Sequence, residues 1–313
     1  MQIQIQMQMQ SSLCFSSSPK PPQPPSSPSS FSLPNSQLPN NPTPNPKPKS
    51  LLQTHPLYTP ATSNLSHQIK EKILCLEIFG VDSGKALSQN PSLHSTPLHS
   101  LNSVISFLRS KGIHHSDLPK IFGMCPTILT SDVAADLIPV FSFLSDDLQV
   151  PDHRVRRVVN KNPRLLASSA RDQLRPALFY LRRLGFTDLE ALAYRDSILL
   201  VSSVERTLIP KLRFLESLGL QRAEAVGMVL RCPALFTFSV ENNFKPKFEY
   251  LVGEMKRKVE EVREFPQYFA FSLEKRIKPR HMEVVRRGME MGLPLMLKTT
   301  DVEFRELLSQ GSG

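Results

Sequence analysis

The first 70 residues contain no aspartate or glutamate, and no arginine occurs before Arg109. The only charges in that stretch are Lys20, Lys47, Lys49 and Lys70, and Glu71 is the first acid. Residues 1–60 hold 14 of the chain's 28 prolines, with 12 serines and a Gln-alternating start. Such a segment cannot bury enough apolar surface to offset its chain entropy, so residues 1–65 are expected to be disordered. Acid-poor and serine-rich is also the composition of an organellar transit peptide followed by a linker. A mitochondrial presequence would be an arginine-rich amphipathic helix, which the prolines from Pro19 to Pro48 would prevent. The composition therefore points to the plastid, with the mitochondrion as the alternative. A proline-rich tail in the polyproline II form over Pro19 to Pro28 is a further reading.

Other absences exclude whole classes of chemistry. No apolar run approaches 18 residues, so no membrane span is expected. The four cysteines, Cys14, Cys75, Cys125 and Cys232, show no CxxC spacing, and His114-His115 with Asp117 lacks a third ligand, so no metal is expected. Gly80-Val81-Asp82-Ser83-Gly84-Lys85-Ala86 is one residue short of a phosphate-binding loop and lacks its hydroxyl, which leaves a helix-to-helix turn. No nucleophile, base and orienting acid recur at an informative spacing, so neither an enzyme nor a cofactor is expected. No alternation of period two is long enough for a sheet, and the chain reads as all-α.

What the chain does contain is a period. Pairs of prolines recur as Pro126 and Pro139, Pro163 and Pro176, Pro233 and Pro246, and Pro266 and Pro279, with Asp196 and Pro210 keeping the step and a weaker copy at Pro91 and Ser103. The second members fall at 103, 139, 176, 210, 246 and 279, an interval of 33 to 37 residues. That interval is the signature of a helical solenoid, whose units cannot bury their apolar faces alone. Each second member is read as the first turn of a helix, which carries Phe107-Leu108, Phe143-Leu144, Tyr180-Leu181, Phe214-Leu215 or Tyr250-Leu251 and often ends at a glycine (Gly112, Gly185, Gly219, Gly288). A second helix follows on apolar residues three or four apart, such as Leu118, Ile121 and Phe122, or Val155, Val158 and Val159. Thr187 with Glu190 has the form of a capping box. Cys125 and Cys232, each just before a first proline, are read as core fillers.

The blocks Cys125-Pro126-Thr127-Ile128-Leu129, Asn162-Pro163-Arg164-Leu165-Leu166, Cys232-Pro233-Ala234-Leu235-Phe236 and Phe265-Pro266-Gln267-Tyr268-Phe269 are each followed by a Leu-x-Pro-like turn and an aromatic-leucine pair. Over residues 68 to 313 this pattern resembles the mTERF family of organellar transcription termination factors. The resemblance implies repeats of two antiparallel helices and a short 3-10 helix, stacked into a superhelix over residues 66–313 whose concave basic face holds nucleic acid. Asp196 and Ser103 depart from the proline pattern, which puts the local helix geometry there in question.

Charge is distributed unevenly along that period. Residues 71–150 carry five basic against eight acidic side chains, and residues 151–313 carry 29 against 20. From Arg154 to Arg183 nine basic residues face a single acid, Asp172. Arg154, Arg157 and Lys161 share one helical face, and Arg164 follows. Basic residues also flank the second proline in four successive units: Arg175, Lys211, Lys245 with Lys247, and Lys278 with Arg280. Equivalent positions in a solenoid align, so these are expected to form a ladder at helix N-termini, where free N–H groups favour phosphate. Arg182, Arg183, Arg195, Arg231, Arg286 and Arg287 extend the set. Neutralising about six phosphates would give a log-log salt slope near −5 on duplex DNA.

The expected function is thus an organellar, chloroplast-type regulator of gene expression that binds double-stranded DNA and terminates or blocks transcription. An RNA-binding factor for plastid rRNA or intron maturation is the first alternative, and a protein-interaction solenoid is the second. Organellar transcription or RNA-processing proteins are the expected protein partners.

Overall fold

The computed structural model describes residues 66–310, and every regular element among them is helical. Helices α1 (His67–Ile78) and α2 (Ser83–Gln89) lead in. The 3-10 turn Pro91–His94 opens a unit made of α3 (Leu98–Ser110) and α4 (Leu118–Met124). Pro126–Thr130 opens α5 (Ile138–Ser142) and α6 (Asp152–Lys161), and Pro163–Ala167 opens α7 (Arg175–Leu184) and α8 (Leu189–Tyr194). Helix α9 (Ser197–Leu200) takes the place of the 3-10 turn ahead of α10 (Ile209–Ser217) and α11 (Arg222–Arg231). Pro233–Thr237 opens α12 (Lys245–Gly253) and α13 (Val259–Glu264), Pro266–Ala270 opens α14 (Lys278–Arg286) and α15 (Leu293–Lys298), and α16 (Asp301–Gln310) follows. The expectations for the leader and for Cys14 lie outside the described residues.

The first proline of each pair acts as the structural punctuation its chemistry dictates. The residue before it, Asn90, Cys125, Asn162, Cys232 or Phe265, has φ between −142° and −126° and ψ between 69° and 83°. The pyrrolidine ring disfavours the α conformation there and so ends the preceding helix. Asp196 has an N–H that proline would lack, and it donates to the Ala191 carbonyl at 2.9 Å. The chain after it closes as the short α9.

The second proline lies in the first turn of α5, α7, α10, α12 and α14, as its spacing implied, but it is not where the helical path starts. The helical path begins earlier, where Asp132, Ser169, Ser203, Ser239 and Ser272 accept from the backbone N–H of Ala135, Asp172, Arg206, Asn242 and Lys275 at 2.7–3.2 Å. Between cap and proline lies a widened π turn: Val133–Leu137, Ala170–Leu174, Val204–Leu208, Val240–Phe244 and Leu273–Ile277. A proline inside a helix has no N–H to give and its ring crowds the carbonyl four residues back. The i to i+5 register of the widened turn relieves both problems. Ser103 lies inside α3, which starts behind Pro97.

Two smaller expectations also change. Asp188, not Thr187, caps α8, accepting from Ala191 N at 2.8 Å, because Leu189 is the first helical residue. The glycine-containing loop is the helix-to-helix turn: Gly80 has φ 70° and Asp82 caps α2 through Lys85 N at 2.8 Å.

Packing follows two layers. The second helices contact one another, α6 on α8 and α11 on α13, whereas the first helices α5 and α7 contact the widened turn of the next unit. Ile121, Phe122, Val158, Val159, Leu181, Val229 and Val262 are fully buried between the layers. Each such side chain contributes about 1.5–3 kcal/mol by burial. Cys125 and Cys232 are buried as core fillers.

Candidate nucleic-acid interface

In the second-helix layer, α6 buries Val155, Val158 and Val159 and leaves its basic residues on the remaining arc. Arg156 is not free on that arc: its Nε donates to Asp117 Oδ2 at 2.7 Å and its Nη2 to Asp117 Oδ1 at 3.2 Å. The guanidinium holds the Asp117 carboxyl below its ordinary pKa. Arg154 pairs with Glu190 at 3.2 Å, and the Arg154 and Arg157 guanidinium carbons lie 5.9 and 5.7 Å from the centre of the Tyr194 ring. His153, Arg156, Arg157, Asn160, Lys161 and Tyr194 line an open groove between α6 and α8. Arg164 is exposed on the turn that follows. The structure thus brings Arg154, Arg157 and Lys161 together as spacing suggested.

The first-helix layer behaves differently, and the expected ladder splits. The residues before the second proline point outward and are paired: Arg175 with Asp147 at 3.0 Å, Lys245 with Glu241 at 2.7 Å and Lys278 with Glu274 at 2.5 Å. The residues after it turn inward. Lys211 Nζ donates to the Phe236 carbonyl at 2.5 Å, Lys247 Nζ to the Phe269 carbonyl at 2.6 Å, and Arg280 Nη1 to the Met296 carbonyl at 2.7 Å. Burial lowers the pKa of Lys211 and takes that of Lys247 down to about 8. Lys72, which sequence reasoning passed over, reaches the carbonyls of Leu93 and His94 at 2.9 and 2.8 Å in the same manner. The lysines join one unit to the next turn, Arg280 joins α14 to α15, and these side chains are not a phosphate stripe. The premise of free N–H groups at the second proline also fails, since the true N-termini carry Ser or Asp caps.

Further members of the set have local roles. Arg182 Nη2 donates to the Asp147 carbonyl at 3.3 Å, and Arg183 is exposed with no ion pair among the described residues. Arg195 pairs with Asp188, Arg231 donates to the Arg263 carbonyl, and Arg286 and Arg287 share Glu283. Sequence reasoning also missed the unit-to-unit pairs Arg156–Asp117 and Arg263–Glu224. Both span 39 residues, close to the period, which was the signal available to find them.

Among the described residues no helix is long and apolar enough to cross a membrane, and no group of three or more His, Cys, Asp or Glu could hold a metal. The mTERF family model matches residues 47–194 and 189–305. The chain is 34% identical over 129 residues to the transcription termination factor MTERF2, chloroplastic, of Arabidopsis thaliana, covering 41% of this chain and 20% of that protein. It is 34% identical over 105 residues to MTERF4, chloroplastic, of Oryza sativa subsp. japonica, covering 33% of this chain and 20% of the relative. A longer match, 25% identical over 227 residues, covers 71% of this chain and 44% of MTERF8, chloroplastic, of Arabidopsis thaliana. The matched stretch therefore spans about a fifth of the length of the first two relatives. With a family model that matches most of its length and helix pairs joined by 3-10 turns at a constant period, this chain belongs to the mTERF family.

Proposed function

We propose that the chain is a plastid nucleic-acid-binding regulator of gene expression that acts as a transcription termination factor on duplex DNA. The observation that supports this reading is the groove between α6 and α8, where Arg154, Arg157 and Lys161 sit beside Tyr194 with Arg164 on the adjoining turn. Several cations on one rigid surface attract a polyanion, and phosphate contacts fix its register without reading its sequence. Transfer of the chloroplast location rests on relatives so named and on the acid-poor leader. The mechanism is occupancy: a stack of units held on the backbone by charge obstructs a polymerase. RNA maturation is the second reading, favoured by an aromatic side chain left exposed among arginines on α7.

The test is binding of the full chain to plastid duplex DNA, structured RNA and single strands across a salt series. With about four phosphate contacts the duplex slope is near −3.5, shallower than the full basic set would give. Replacing Arg157 and Lys161 by alanine flattens it by about two contacts. A slope near zero would remove the electrostatic basis of the proposal.

A further inference from the structure

Helix α7 buries Ala177, Leu178, Leu181 and Leu184 but turns one large apolar residue outward: Phe179 is 68% exposed, the most exposed large apolar side chain among the described residues. Helical spacing puts Arg175 one turn before it and Arg182 and Arg183 one turn after it, all on the same arc. Two of those arginines are held in place rather than waving in solvent, since Arg175 Nε donates to Asp147 Oδ2 at 3.0 Å and Arg182 Nη2 to the Asp147 carbonyl at 3.3 Å. Each leaves further guanidinium N–H groups for another acceptor. The buried arc of α7 is already filled by those four side chains, and Phe179 lies outside it. Its exposure within an arginine frame calls for a ligand with a flat apolar surface and negative charge on either side.

We infer that the Phe179 face of α7 is a binding site for a single-stranded nucleic-acid segment, with an unpaired base stacked on the Phe179 ring and the neighbouring phosphates held by Arg175, Arg182 and Arg183. Stacking on an aromatic ring is available to any base and only when the base is unpaired, so this site selects strandedness rather than sequence. A protein partner would also accept an exposed phenylalanine, but three arginines on one arc match a polyanion better than a mixed surface. The inference rests on the nucleic-acid reading and adds to the duplex-binding groove a separate site for an unpaired strand, either RNA or DNA.

The chain has no tryptophan, so Phe179→Trp places a unique fluorophore at the site. The full chain carrying it is titrated with oligouridylate, oligodeoxythymidylate and a DNA duplex of matched length. The expected result is quenched emission on the single strands and none on the duplex. Phe179→Ala and Phe179→Leu weaken single-strand binding about tenfold, Phe179→Trp restores it, and duplex binding is unchanged in all three. Because the side chain is exposed, the variants keep the wild-type unfolding midpoint, which is measured in parallel. Equal single-strand affinity of wild type and Phe179→Ala, or unquenched emission at saturation, overturns the inference alone. If the wild type binds no nucleic acid of any form at low salt, the wider functional reading fails as well.

Discussion

Lys247 illustrates how a single buried cation ties stability to pH. Its Nζ donates to the Phe269 carbonyl at 2.6 Å, yet loss of solvent lowers its pKa to about 8 from an ordinary 10.5. A folded pKa below the unfolded one means that the unfolded chain binds more protons between those values, so stability rises with pH across that window. Below about pH 8 the penalty is at its full value. The unfolding midpoint of the wild type is expected to climb relative to Lys247→Met between roughly pH 8 and 10.5. Parallel curves for the two proteins would show that the amine does not titrate abnormally. The same logic applies more weakly to Lys211, whose pKa burial also lowers. Replacement of Arg280 acts through contacts instead. Arg280→Ala strands the carbonyl of Met296 and leaves Thr299 and Asp301 to Arg276 alone, and a destabilisation of about 2 kcal/mol in urea unfolding is expected.

At the scale of the element, the caps seven residues before each second proline set the unit's geometry. Ser239→Ala removes the acceptor for Asn242 N and is expected to cost about 1 kcal/mol, with Ser239→Asp retaining stability. Chemical denaturation of the three proteins compares them directly, and an Ala variant as stable as wild type would show that the cap is dispensable. Much of this layer was legible in sequence. The proline period located the units, the three-and-four spacing of Val155, Val158 and Val159 located a second helix, and Gly185, with φ 106°, closes α7 as its position implied. The helical turn ahead of each second proline was not legible, because proline at a first turn is the common case, while a widened turn requires the i to i+5 register to be known. A sequence cue existed nonetheless in Ser203-Val204-Glu205, Ser239-Val240-Glu241 and Ser272-Leu273-Glu274, which recur at one phase of the period. Side-chain direction was harder to read. The carbonyls that take Lys211 and Lys247 lie 25 and 22 residues away, in the following unit. Local spacing cannot tell an outward lysine from one that reaches forward through the core.

Across the molecule, the cations divide into those that join units and those that remain on the surface, and the two groups are separable by experiment. Replacing Arg157 and Lys161 by alanine should flatten the salt dependence of duplex binding and leave the unfolding midpoint within about 0.5 kcal/mol of wild type. Replacing Lys211 by methionine should alter the midpoint and leave the salt slope intact. The reverse pattern, a flattened slope from Lys211→Met, would return the inward residues to the interface. The inward lysines share a direction, whereas the ion pairs Arg156–Asp117 and Arg263–Glu224 run back to the earlier unit. Lys72 reaches Leu93 and His94, Lys211 reaches Phe236 and Lys247 reaches Phe269, each toward the later unit. The array therefore has a grain. A cut made just after α12 would leave the ammonium of Lys247 facing a void where its carbonyl had been, whereas a cut made just before α12 would leave only a carbonyl that water can satisfy. Trimmed from the C-terminal side, the stack loses the partners of its inward lysines; trimmed from the N-terminal side, it loses those lysines themselves.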